Sequence, residues 1–158
     1  MKTIELIVPC YNEEKCIGLF YNAVREVFAK LPDFDFIITY VDDGSRDDTL
    51  NEMKRTASAA VEGTVQYIAL SRNFGKESAI YAGLSKSKGD YVALIDADLQ
   101  HPPELLVQMI DAIEKEGYDR ATARRVSRKG EPLIRSAFSK AFYSIINHVT
   151  VLDLISGS

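Results

Sequence analysis

Asp96-Ala97-Asp98 puts two carboxylates two residues apart, directly after the apolar run Tyr91–Ile95. Left unpaired, like charges this close raise each other's pKa, and a hard divalent cation removes that cost. Mg2+ and Mn2+ take few carboxylates, keep several waters and accept phosphate oxygens from a substrate. Gln100 offers a neutral oxygen two residues further on. The chemistry on offer is that of a cation carrying a phosphate-bearing ligand. The same aspartates could instead be loop carboxylates that cap the next helix.

Other residues of the right type recur at similar places. Asp42-Asp43 follows a second apolar run, and a carboxylate there can accept hydrogen bonds from a base N–H or a sugar hydroxyl. Its alternative is turn chemistry, because Asp-Gly-Ser makes a good turn unaided. Tyr11 follows Pro9 at the end of the first apolar run, where its ring could stack on a base or lie on the surface. Glu13 could bond that base or favour a helix start. Lys76, beside Gly75 near an expected helix N-terminus, is a natural diphosphate or sugar contact, or a solvated lysine. Cys10 and Cys16 lack CxxC spacing and a nearby His, which argues against zinc and for a reducing compartment.

These residues need elements to hold them. Thr3–Val8 reads as a strand stopping at Pro9, and Phe34–Val41 as a strand buried on both faces. Val65–Leu70, Tyr91–Ile95 and a short Tyr118–Ala123 read as further strands. Between them, apolar residues at three-four spacing predict helices. The first presents Ile17, Phe20, Tyr21, Val24, Val27, Phe28 and Leu31. A second runs over about 48–60 with Asp47 or Asp48 as N-cap, and a third over about 77–87. A fourth opens at Pro102-Pro103 with Leu105, Leu106, Met109, Ile110 and Ile113 inward, and a last spans about 132–148. Strands alternating with helices imply parallel βαβ units, whose ligands bind beyond the carboxyl ends of the strands. Residues 9–13, 42–45, 71–76 and 96–100 should therefore meet at one sheet edge.

The 158 residues are enough for one domain with a core, 46% of them apolar and 27% charged. A net charge of −4 does not make the chain a polyanion binder, and no nucleic acid is expected. From Lys115 to Lys140, eight Lys or Arg face three Asp or Glu, a local basic surface for phosphate or a solvated helix face. No signal peptide is read at Met1, and no run reaches the ~20 apolar residues that span a bilayer.

Four segments in order resemble the family 2 glycosyltransferases of GT-A fold: Val8-Pro-Cys-Tyr-Asn-Glu13, Val41-Asp-Asp-Gly-Ser-Arg-Asp-Asp-Thr49, Ser71-Arg-Asn-Phe-Gly-Lys-Glu77 and Asp96-Ala-Asp-Leu-Gln-His-Pro-Pro-Glu104. The likeness runs from Thr3 to about His148 and is strongest to the polyprenyl-phosphate glycosyltransferases, the bactoprenol type above all. It implies a Rossmann-like, three-layer α/β/α domain over residues 1–158 with a mostly parallel sheet. It also implies inverting transfer of a hexose from a nucleotide-diphosphate sugar, UDP-glucose-like or GDP-mannose-like, to a polyprenyl phosphate, with Mg2+ or Mn2+. Pro9, Tyr11, Glu13, Val41 and Asp43 would bind the nucleoside, Lys76 and Asp96 the rest of the donor, and Asp98 and Gln100 the metal. Asp96 and Asp98 would be the catalytic pair. Arg124, Arg135 and Ser139 would hold the acceptor phosphate. The implied setting is the cytoplasmic face of the membrane, with peripheral attachment and room for a homo-oligomer.

Two departures stand out. His101 replaces the Asp or Asn of many relatives and could be a weak ligand. The chain ends at Ser158, where relatives of the bactoprenol type continue into transmembrane helices, so a truncated catalytic domain is expected. That leaves a catalytically impaired donor-binding fragment as the alternative. A nucleotidyltransferase making nucleotide sugars would carry a Gly-rich, basic first loop, whereas residues 9–13 are acidic and free of Gly. A receiver-type phospho-acceptor module would have no use for Tyr11 and Gln100.

Overall fold

The computed structural model describes residues 1–123. Four strands, β1 (Lys2–Cys10), β2 (Phe34–Asp42), β3 (Thr64–Ala69) and β4 (Tyr91–Leu94), form one sheet in the order β3-β2-β1-β4, every pair parallel. Helices α1 (Ile17–Phe28), α2 (Thr49–Ala59), α3 (Lys76–Leu84) and α4 (Leu105–Glu116) alternate with them.

Side-chain alternation along β1 divides the core into two. Ile4, Leu6, Val8 and Cys10 join the large cluster with α1, with Met53 of α2 and with Leu106 and Ile110 of α4. Ile7 faces the other way, packing with Val41 and Ala79 under α3. The result is the expected three-layer α/β/α domain. The chain steps from β1 outward to β3, then crosses by α3 to β4 on the other side of β1. Right-handed crossovers require the connecting helix to change face when the direction reverses, and α3 does. The reversal makes a switch point between β1 and β4.

One buried polar group ties the sheet together. Glu5, without solvent exposure, accepts from Thr39 Oγ1 at 2.6 Å, Gln66 Nε2 at 3.3 Å and the backbone N–H groups of Lys88 and Gly89 at 2.7 and 3.1 Å. Four donors offset the cost of burying a carboxylate.

Several boundaries differ from the sequence reading. β1 does not stop at Pro9 but runs on to Cys10, with Pro9 opposite Val41. Ile95 N–H donates to the Ile7 carbonyl and Asp43 N–H to the Cys10 carbonyl, so odd residues of β1 face β4 and even ones β2. Proline's missing N–H thus points past Leu94, the last paired residue of β4, and costs no ladder bond. α4 begins at Leu105, after a turn in which Leu105 N–H meets the Pro102 carbonyl at 3.1 Å. Leu106 and Ile110 are buried there, whereas Leu105, Met109 and Ile113 are half-buried. Tyr118–Ala123 is no strand: it is irregular, and residues 119–123 line a gap of about 690 Å³ opposite β4 rather than pairing with it. The 132–148 helix, Arg124, Arg135 and Ser139 lie outside the described residues.

Candidate active site

The carboxyl ends of β1 and β4 flank the switch point, where ligands bind in open α/β sheets. The loop after β1 is laced to the loop after β2. Asn12 N–H donates to Ser45 Oγ at 2.9 Å, Arg46 N–H to Asn12 Oδ1 at 2.8 Å and Glu13 N–H to Thr49 Oγ1 at 2.7 Å. Asp48 N–H donates to Glu14 Oε2 at 3.0 Å. Asp48 takes the N-cap position of α2 without a side-chain cap bond, and Asp47 accepts the N–H of Thr49 at 3.1 Å. Asn12 sits in the left-handed region at φ 57, which Asn tolerates better than most residues. This lacing presents Tyr11, 40% exposed, at the cleft rim.

The two aspartates after β2 divide their work. Asp42 accepts Ser45 N–H at 3.1 Å, a turn role. Asp43 is buried and accepts from the N–H groups of Phe74 and Gly75 at 2.8 and 3.0 Å. It thereby fastens the loop that leads into α3. Gly44 is in van der Waals contact with that loop. Its φ is +68, and a Cβ there would lie 2.3 Å from the Arg72 carbonyl carbon.

Lys76, the first residue of α3, reaches across to Asp96, with Nζ 2.7 Å from Oδ1. Asp98 is exposed, and its Oδ1 accepts Gln100 N–H at 3.0 Å. The turn between them places Leu99 at φ 57, an uncommon conformation for a leucine, held while Leu99 packs against the main core.

The cleft enclosed by these loops has a volume of about 310 Å³. It gathers Pro9, Tyr11, Glu13, Asp43, Lys76, Asp96 and Asp98, seven of the residues read from the sequence. It does not gather Val41, whose fully buried side chain packs beneath α3 with Ile7 and Ala79. Gln100 is exposed and does not line the cleft. His101 lines the apolar gap instead. Cys10, Asn73 and Ala79 line the cleft without having been singled out for it, and the motif segments carrying Cys10 and Asn73 were the available signal.

The cleft is acidic. Among the described residues, Glu13, Asp43, Asp96 and Asp98 face it against a single ammonium, Lys76. Burial first, then the Glu13 and Asp42 carboxylates, push the Cys10 thiol well up. Burial and a hydrogen bond to Glu13 push Cys16 up as well. Both stay protonated at neutral pH and offer no thiolate to a metal. Among the described residues, no three His, Cys, Asp or Glu side chains form a ready cage. Asp96 and Asp98 suit the other mode of holding Mg2+ or Mn2+, in which two carboxylates share the ion with water and a ligand's phosphate, once Lys76 leaves Asp96.

The family model described as Glycosyl transferase family 2 matches residues 5–154. CsbB of Bacillus subtilis (strain 168) is 42% identical over 154 residues, covering 98% of this chain and 45% of CsbB. The bactoprenol glucosyl transferase of Shigella phage SfX is 37% identical over 147 residues, 93% of this chain and 47% of that protein. The chain thus spans about half the length of the curated relatives it matches. Staphylococcus aureus TarS 1–349 in complex with UDP superposes with a TM-score of 0.66 at 25% identity, over 84% of this chain and 38% of that one. The mannosyltransferase PcManGT of Pyrobaculum calidifontis, in complex with GDP-Man and Mn2+, gives 0.52 at 25% identity, over 60% and 27%. The parallel sheet is that of the GT-A fold, its four motif segments end at one switch point, and the family match runs almost the whole length: the chain belongs to glycosyl transferase family 2.

Proposed function

We propose that this chain carries the donor site of an inverting, metal-dependent glycosyltransferase that moves a hexose from a nucleotide-diphosphate sugar to a polyprenyl phosphate. The observation that carries this reading is the acidic cleft at the switch point, with four carboxylates against one lysine among the described residues. A cation entering with a diphosphate would offset the repulsion between its charge and the carboxylates. The relatives named as bactoprenol glucosyl transferases support the lipid acceptor. The solved neighbours with UDP, and with GDP-Man and Mn2+, support the donor and the metal.

In this reading Tyr11 stacks on the base at the rim, while Pro9 and Glu13 wall the nucleoside. Asp43 bonds the nucleoside through lone pairs left free by Phe74 and Gly75, and Val41 supports that wall from beneath. Lys76 and Asp96 meet the rest of the donor, and Asp98 together with Asp96 would hold Mg2+ or Mn2+, Gln100 lying outside the cleft. The bound cation supplies Lewis-acid neutralisation of the leaving nucleoside diphosphate. The acceptor is already an anion, so little general-base help is needed. Its phosphate oxygen attacks the anomeric carbon as the bond to the donor phosphate breaks, which inverts that centre. Arg124, Arg135 and Ser139 hold the acceptor phosphate, where a bidentate guanidinium is well suited. The chain works as a peripheral unit at the cytoplasmic face of the membrane; no helix among the described residues is long and apolar enough to cross one.

The test is a thermal-shift panel of UDP- and GDP-sugars with and without Mn2+, followed by turnover with a short polyprenyl phosphate. A ligand at 100 times its Kd stabilises the folded state by about 2.7 kcal/mol, several degrees for a chain this size. One sugar nucleotide should raise Tm, and by more with Mn2+ than without it. No shift with any donor would sink the proposal, and a shift without turnover would reduce the chain to a donor-binding fragment.

A further inference from the structure

Lys76 and Asp96 are paired across the cleft, Nζ to Oδ1 at 2.7 Å, with side chains 56% and 38% exposed. The backbone beneath Lys76 is fixed. Asp43 clamps the N–H groups of Phe74 and Gly75, and Lys76 follows as the first residue of α3. Its ammonium, in contrast, rides on a flexible four-carbon stem and is half in water. A solvent-screened pair of this kind is weak and readily exchanged. Both residues line the donor cleft, and Lys76 is the one cation lining it among the described residues.

We propose that Lys76 is an exchangeable counter-ion: it neutralises Asp96 in the empty cleft and passes to the diphosphate when the donor enters. This rests on the donor reading above. In the empty cleft Lys76 occupies a carboxylate oxygen that a divalent cation would need, so cation alone binds poorly. A diphosphate carries more negative charge than one carboxylate and draws the ammonium away. Asp96 is then free for the incoming cation and sugar. Cation and nucleotide therefore bind cooperatively, and the coupling is reciprocal. Lys76 keeps the four carboxylates of an empty cleft from collecting a cation without its substrate.

The prediction has opposite signs for two ligands. Lys76→Gln removes the charge and keeps most of the length. Mn2+ alone, followed by electron paramagnetic resonance of the free ion, should bind the Gln variant more tightly, on the order of fivefold for one screened charge at this distance. UDP or GDP without metal, followed by calorimetry, should bind it more weakly by a similar factor. Lys76→Arg keeps the charge and should behave as the parent in both. If the parent binds nucleotide with Mn2+ but either affinity is unchanged in Lys76→Gln, or Lys76→Arg matches the Gln variant, the exchange is wrong and the donor reading stands. If the parent binds neither UDP nor GDP with Mn2+, both fall. Melting curves of each variant confirm that the fold is intact, because Lys76 makes no buried contact.

Discussion

Asp43 shows how one side chain can serve the site from behind. The acidic pair after β2 looks symmetric in sequence, but alternation along the chain turns Asp42 to its own turn and Asp43 to the neighbouring loop. Being only 3% exposed, Asp43 is little screened, so its two hydrogen bonds from Phe74 and Gly75 carry weight. Asp43→Ala leaves both N–H groups without an acceptor, a cost of about 1–3 kcal/mol. Urea unfolding should show that loss, and hydrogen exchange should show Phe74 and Gly75 amides losing protection while the β1 amides keep theirs. Unchanged protection at those two amides would mean the clamp is not what holds the loop. The left-handed Leu99 belongs to the same scale. Its conformation lets Gln100 N–H reach Asp98 and fixes one metal-candidate carboxylate, and nothing in a leucine's residue type announces it.

At the scale of elements, the packing of α3 decides where Lys76 stands. Gly83 lets the helix close on the sheet: a Cβ there would lie 2.4 Å from Ile7 Cγ2 and 3.2 Å from Val41 Cγ2. Gly83→Ala gains up to about 1 kcal/mol in helix propensity, but overpacking against a fully buried Ile7 costs about 1–3 kcal/mol. The variant should melt below the parent. In an Ile7→Ala background, which removes that methyl, most of the penalty should disappear in a double-mutant cycle. An undiminished penalty would place the clash elsewhere. The elements were legible because their signals are local: three-four spacing marks α1 down to its buried Phe28, and continuous apolar runs mark β1 and β2. What was not legible depends on partners. Pro9 reads as a stop, yet its N faces the side where β4 has already ended. Tyr118–Ala123 has strand-like residues, yet residues 119–123 stand across a gap from β4 and make no ladder with it. Val41 lies in a motif, yet the two-residue period turns its side chain beneath α3. The strand-end rule found seven of the cleft's residues and could not tell which carboxylates are already engaged.

The whole molecule carries a net charge of −4, and its response to pH has one limb set by buried neutral groups. Burial, then the Glu13 and Asp42 carboxylates, hold Cys10 protonated well above an ordinary thiol near 9.0. Burial likewise raises the Tyr40 hydroxyl above its ordinary 10.0, and that hydroxyl donates to the Ile17 carbonyl at 3.0 Å. Both folded-state pKa values are raised, so the folded chain keeps protons that the unfolded chain gives up. Their contribution to stability is complete below the unfolded values and is lost as pH climbs past them towards the folded ones. Stability should therefore be insensitive to these groups below about pH 9. Above it stability should fall by up to about 1.4 kcal/mol per pH unit for Cys10, and about twice as steeply once Tyr40 joins near pH 10. Urea unfolding from pH 8 to 11 in the presence of reductant measures that slope. Cys10→Ala should remove the part beginning near pH 9, and Tyr40→Phe the part beginning near pH 10, at the price of one buried hydrogen bond at every pH. If the alkaline slope survives both substitutions, these two buried groups do not set that limb.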